Sequence, residues 1–144
     1  MKKLLFLDFD GVLHPLGQGD EVLFSKSHDM AKVLENSSCK IVISSSWRFH
    51  YSLDQLRKFL PPAIRGLVCD RTGDPCFGHY PRYQEIKNYM AEREIADWRV
   101  LDDSFLEFPC SCKQLIDCNP NTGITEKELL ILIQWLAQPP SLTI

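Results

Sequence analysis

The chain has 144 residues, 44% of them hydrophobic, and a formal net charge of -3. That length suits one domain with a sizeable core, and the mild acidity excludes a chain-wide basic field of the kind that holds nucleic acid. The longest late apolar run, LLILIQWLA, is far short of a membrane span. Lys2 and Lys3 are followed by too few apolar residues for a secretory leader, so the six cysteines are expected as reduced thiols of a cytoplasmic protein.

Hydrophobic period predicts strands alternating with helices. Residues 3–9 (KLLFLDF) read as a buried strand, near-continuous in apolar residues as parallel strands are. A loop with Gly and Pro runs through 11–24. Residues 27–36 read as a helix, with Ser27 as N-cap and Met30, Val33 and Leu34 on one face. Residues 40–44 (KIVIS) give a second strand. Ser52 and Gln55 form a capping box for a helix carrying Leu53, Leu56, Phe59 and Leu60, stopped by Pro61-Pro62. Residues 64–69 are a weaker third strand, interrupted by Gly66. After a polar loop over 70–81, a helix spans about 82–92 with Tyr83, Ile86, Tyr89 and Met90 on one face. Residues 98–102 and 113–118 are the fourth and fifth strands. Thr125 and Glu128 cap a last helix that ends near residue 137, and the PPSLTI tail is expected to be loose.

This alternation predicts an α/β fold: a single Rossmann-like domain over 1–144, with a mostly parallel five-stranded sheet and helices on both faces. In such sheets a ligand binds beyond the carboxyl ends of the strands. Those ends are rich in chemistry. The first strand delivers Asp8 and Asp10, the second Ser44, Ser45, Ser46, Trp47 and Arg48, and the fourth Asp102 and Asp103. Isolated, each acid pair is as well explained by an Asx turn. Together at one sheet edge they call for a cation. Oxygen ligands with no neighbouring His or Cys favour Mg2+ over Zn2+, and Mg2+ in turn suggests a phosphate substrate.

LFLDFDGVL resembles the first motif, hhhhDxDG, of the haloacid dehalogenase (HAD) superfamily of phosphatases. Ser45 fits the second motif, Arg82 the third and Asp102-Asp103 the fourth, in the family's order. A closer resemblance is to the HAD domain of Swiss Army Knife RNA repair proteins, carried by DGVLHP, SSSWR at 44–48, Arg82-Tyr83-Gln84-Glu85-Ile86, LDD, and Gly123-Ile124-Thr125. The resemblance implies that Asp8 is a nucleophile forming an aspartyl-phosphate, and that Asp10 protonates the leaving oxygen and then activates water. It implies Mg2+ on Asp8, the Asp10 carbonyl and Asp102, with Asp103 close by. Ser45 and Arg82 would hold phosphoryl oxygens.

Alternatives remain at several positions. Ser44 or Ser46 can stand for Ser45, because a strand end is fixed by pattern only to within a residue or two. Lys87 is a rival to Arg82, although it lies deeper in the helix. Ser46, Trp47 and Arg48 are candidate substrate contacts, with Trp47 equally readable as core. Arg48 can reach phosphate or pair with an aspartate. His14, His50 and His79 are assigned no role, and Cys110, Cys112 and Cys118 lack the spacing of a zinc site.

Neither segment where superfamily members insert a cap, 11–39 or 49–81, is long enough to fold separately. An open site suits a large phosphorylated substrate, such as a nucleic acid end met by a local basic face of Arg48, Arg57, Lys58, Arg65, Arg71 and Arg82. The rivals are a small-molecule or nucleotide phosphatase and a non-catalytic phospho-acceptor or binding module. No membrane partner is expected.

Overall fold

The computed structural model describes residues 2–93 and 97–141. Five strands, β1 (Lys3–Leu7), β2 (Lys40–Ile43), β3 (Val68–Arg71), β4 (Asp97–Asp102) and β5 (Leu115–Asp117), form a sheet ordered β3-β2-β1-β4-β5. Every pairing is parallel, so "mostly parallel" becomes fully parallel. The helices are α1 (Ser27–Leu34), α2 (Leu53–Lys58), α3 (Pro62–Arg65), α4 (Pro81–Ala91) and α5 (Glu126–Ala137). Among the described residues, no helix is long and apolar enough to cross a membrane.

Side chains alternate across a strand, and the sheet buries both faces. Leu5, Leu7, Ile41, Ile43 and Leu101 pack with Met30 and Leu34 of α1, Leu56 of α2, Ile64 of α3, and Leu132 and Trp135 of α5. Phe6, Val42, Trp98 and Val100 face the other way, against Ile86 and Tyr89 of α4 and Phe108. The result is three layers, with α4 alone on its side of the sheet among these helices.

Helix ends follow the local sequence. Ser52 and Gln55 form the expected reciprocal box, with Gln55 N–H donating to Ser52 Oγ at 3.2 Å and Ser52 N–H to Gln55 Oε1 at 2.8 Å. At α5, Glu128 Oε1 accepts from both Thr125 N–H and Thr125 Oγ. Ser27 is not the cap of α1. It is the first helical residue, and its hydroxyl donates to Phe24 O at 2.7 Å because Phe24 turns the chain with φ 59 just upstream.

The third strand is displaced from its expected place. Residues 62–65 are helical, because Pro62 occupies the first turn of α3, where a fixed φ and a missing N–H suit a helix start. Gly66 caps that helix, and the strand begins only at Val68, taking Asp70 and Arg71 from the expected loop. The tail begins with a tie, Ser141 N–H to Asp97 Oδ2 at 3.3 Å. Residues 142–144 lie outside the described residues.

β1 is central, with β2 on one side and β4 on the other, so the chain's winding reverses at β1. That is where open parallel sheets form a crevice beyond their carboxyl ends. The connection from β1 to α1 holds turns and a 3-10 turn at Asp20–Val22. Between β2 and α4 lie a 3-10 turn at Ser46–Phe49, α2, α3 and β3. Nothing in either segment folds over the crevice as a separate domain.

Candidate active site

Asp8 follows the last residue of β1, and Asp102 ends β4 directly beside it, with Asp8 N–H donating to Leu101 O at 3.1 Å. Asp8 and Asp102 are buried and Asp103 is half-buried. One oxygen from each of the three lies within 4.8 Å of the others, and this is the one such group among the described residues able to hold a metal. Phe9 N–H donates to Asp8 Oδ1 at 2.9 Å, Ser104 N–H to Asp102 Oδ1 at 2.9 Å, and Ser104 Oγ to Asp103 Oδ1 at 3.3 Å.

Gly11 makes the approach of Asp103 feasible. Its φ is +74°, and a Cβ there would sit 2.0 Å from Asp103 Oδ2. Gly123, in the GIT segment, is the second such position. A Cβ would come within 2.9 Å of Val12 O, and Ile124 N–H bonds that same carbonyl at 2.7 Å. The GIT segment thus braces the turn that follows β1.

Arg82, one residue into α4, is the cation at the cluster. Its Nη1 donates to Asp102 Oδ2 at 2.9 Å and lies 3.5 Å from Asp8 Oδ1. Burial works against the charge of Arg82, yet Asp102 and Asp8 outweigh it and hold the guanidinium firmly protonated. Lys87, its rival in the sequence, lies instead over the Tyr83 ring.

One guanidinium does not balance three carboxylates. Burial, and then the neighbouring Asp102, raise the Asp8 carboxyl well above the ordinary aspartate range. Burial likewise pushes Asp102 up to about 6, against the pull of Arg82. An all-oxygen donor set with uncompensated negative charge fits a hard divalent cation.

Asp10 stands apart from this cluster. Its side chain is 43% exposed and turns to His14 Nε2 at 2.8 Å and Trp47 Nε1 at 3.0 Å. Trp47 packs edge-on against Phe9, Phe24 and Phe59 and stacks on Tyr51 at 5.7 Å. It is therefore both a packing residue and a hydrogen-bond donor to Asp10. Residues 44–46 split: Ser46 is exposed, while Ser44 and Ser45 are fully buried. Ser45 Oγ accepts from Trp47 N–H at 3.2 Å, which leaves its own O–H to donate. Ser44 Oγ has no hydrogen-bond partner, the one such buried side-chain atom among the described residues.

Arg48 corrects an expectation. It does not extend toward a substrate but runs inward, 5% exposed, and donates to Glu85 Oε1 at 2.6 Å, Gly73 O at 3.1 Å, and the carbonyls of Ser44 and Ser45. Of the expected basic face, Lys58 is exposed and three further arginines hold oxygens of this chain. Arg57 donates to Val68 O and Asp54, Arg65 to Leu60 O, and Arg71 to the carbonyls of Arg48 and Tyr51.

Two residues of the site, His14 and Glu85, carry no role in the sequence pattern. The signals for them are a histidine four positions after the second acid and the i,i+3 spacing of Glu85 from Arg82. His50 and His79 are exposed, and all six cysteines are free thiols.

A family model described as the HAD domain in Swiss Army Knife RNA repair proteins matches residues 4–129, from β1 into α5. No curated protein and no solved structure matches the chain.

Proposed function

The chain belongs to the family of HAD domains in Swiss Army Knife RNA repair proteins, and from that membership we propose a Mg2+-dependent phosphatase that works through an aspartyl-phosphate on a polynucleotide end. The observation that carries the reading is the convergence of Asp8, Asp102 and Asp103 within 4.8 Å beside Arg82, with Asp10 held separately and open to solvent.

Asp8, Asp102 and Asp103, with the backbone carbonyl of Asp10, would hold Mg2+. When bound, the ion keeps Asp8 ionised and offsets charge on the phosphoryl oxygens. The Asp8 carboxylate, its rotation fixed by Phe9 N–H, forms a bond to phosphorus as the ester P–O bond breaks. Asp10 gives its proton to the departing oxygen. In the second half Asp10 takes a proton from water, the water oxygen bonds to phosphorus, and the bond to Asp8 breaks. Arg82 and the free O–H of Ser45 supply donors for the non-bridging oxygens. The unpartnered hydroxyl of Ser44 makes it a second candidate for that donor.

A polynucleotide end is favoured because nothing among the described residues encloses the crevice, and remote contacts along a long substrate can supply binding energy that a small one cannot. The test is hydrolysis of 3′- and 5′-phosphorylated oligonucleotides, the matching mononucleotides and an aryl phosphate, each with Mg2+ and with excess chelator. Turnover that needs Mg2+ and is highest on an oligonucleotide supports the reading. Equal efficiency on mononucleotides replaces it with a small-molecule phosphatase. A stable phospho-aspartate without turnover replaces it with a phospho-acceptor module.

A further inference from the structure

We propose that His14 and Trp47 are positioning residues that aim the Asp10 carboxyl for proton transfer, with the backbone of Phe24 fixing where His14 carries its proton. The inference rests on the reading of Asp10 as acid and base given above.

The hydrogen bonds form a directed chain. Phe24 N–H donates to His14 Nδ1 at 3.2 Å. A ring that accepts at Nδ1 carries its proton on Nε2. His14 Nε2–H therefore donates to Asp10 Oδ1 at 2.8 Å, and Trp47 Nε1–H donates to Asp10 Oδ2 at 3.0 Å. Each oxygen has its own donor, so the plane of the carboxyl is fixed at two points. Rotating the group breaks both bonds at once.

The donors are themselves immobilised. His14 is 3% exposed and sits edge-on to Phe24 at 5.3 Å. Phe24 is edge-on to Trp47 at 5.3 Å and stacks flat on Phe59 at 5.3 Å. Phe24 holds φ 59, uncommon and strained for a bulky residue, and it is this residue's N–H that meets His14. Asp10 is half-open, and water alone could hydrate its carboxylate. Two inflexible donors from the turns after β1 and β2 fix its direction instead, in a site where a misplacement of about 1 Å costs about a hundredfold in rate.

The experiment follows phosphoenzyme formation by rapid quench, with Mg2+, on phenyl phosphate and 4-nitrophenyl phosphate. Phenolate needs a proton as it leaves; nitrophenolate needs it far less. His14→Phe and Trp47→Phe keep the rings and remove the donors. Each is expected to slow phosphoenzyme formation on phenyl phosphate by about tenfold to a hundredfold, with KM unchanged and a smaller loss on the nitrophenyl ester. His14→Gln keeps an N–H donor and should recover most of the rate. Equal losses on both esters, no recovery in His14→Gln, or wild-type rates in folded Phe variants overturn the proposal.

A second measurement needs neither turnover nor those variants to be well folded. In the metal-free protein, Asp10→Ala should move the indole N–H resonance of Trp47 upfield and speed its exchange with solvent. An unchanged resonance overturns the clamp. A wild-type protein that hydrolyses no phosphomonoester overturns the phosphatase reading instead, and the indole resonance still decides whether the clamp exists.

Discussion

Arg48 and Glu85 form a buried ion pair at 2.6 Å, joining the turn after β2 to α4. Glu85 Oε2 also accepts from Cys76 N–H at 3.2 Å, and its Oε1 lies 3.9 Å from Arg82 Nε. The pair therefore sets the start of α4, which carries Arg82 to the acid cluster. It accounts for why SSSWR and RxxE occur in one sequence: the last residue of the first motif holds the last residue of the second.

Removing one partner of a buried pair leaves the other charge without compensation. Arg48→Ala should lower stability by about 3–5 kcal/mol, read from urea denaturation. Whatever activity remains should fall by the same factor on an oligonucleotide and on an aryl phosphate. A loss confined to the oligonucleotide would restore Arg48 as a substrate contact.

The acid cluster makes the metal-free protein sensitive to pH. Burial raises Asp102 from 3.8 to about 6 in the folded state, so between those values the folded chain binds more protons than the unfolded one. Its stabilising contribution is complete below about 4 and is lost as pH rises through about 6. The loss is on the order of 3 kcal/mol, at about 1.4 kcal/mol per pKa unit. Metal-free wild-type protein should lose stability over this window, and Asp102→Asn should flatten that slope. Mg2+ should stabilise the wild type more at pH 7 than at pH 5. Denaturation midpoints at several pH values, with Mg2+ or chelator, check both statements.

The fold and the acid cluster were legible because their signals are local. A buried strand ending in acids, two capping boxes and a helix after Pro81 each declare themselves within a few residues. What stayed hidden depends on partners distant in sequence. Arg48 and Glu85 are 37 residues apart, as are Asp10 and Trp47. The displaced third strand is different: Pro61-Pro62 can end one helix or start another, and residue pattern does not choose between them.

The two buried serines can be separated by experiment. Ser44→Ala removes a hydroxyl that bonds nothing, so it should leave stability unchanged or raise it by about 1 kcal/mol. Ser45→Ala removes the acceptor of Trp47 N–H and should cost about 1 kcal/mol. Whichever variant raises KM for a phosphate ester identifies the phosphoryl donor. If Ser44→Ala changes KM and Ser45→Ala does not, the second-motif role moves one residue upstream.

A base of an oligonucleotide substrate would stack on aromatic residues other than Trp47. The ring of Trp47 is enclosed by Phe9, Phe24, Tyr51 and Phe59. Phe77 is 88% exposed and Phe105 is 58% exposed, and both lie in connections that leave the carboxyl ends of strands, after β3 and β4. Phe105 follows Asp103 by two residues, and the two line a common cleft with Asn119 and Thr122. A base stacked on such a ring contributes roughly 1–3 kcal/mol, about tenfold to a hundredfold in kcat/KM. Phe105→Ala, and separately Phe77→Ala, should reduce kcat/KM on a phosphorylated oligonucleotide by a factor in that range while leaving an aryl phosphate nearly unaffected. Because both side chains are exposed, the variants should fold with wild-type stability. Parallel losses on both substrates would assign these residues to the site's architecture, and no loss on either would leave the oligonucleotide without a stacking platform on this rim.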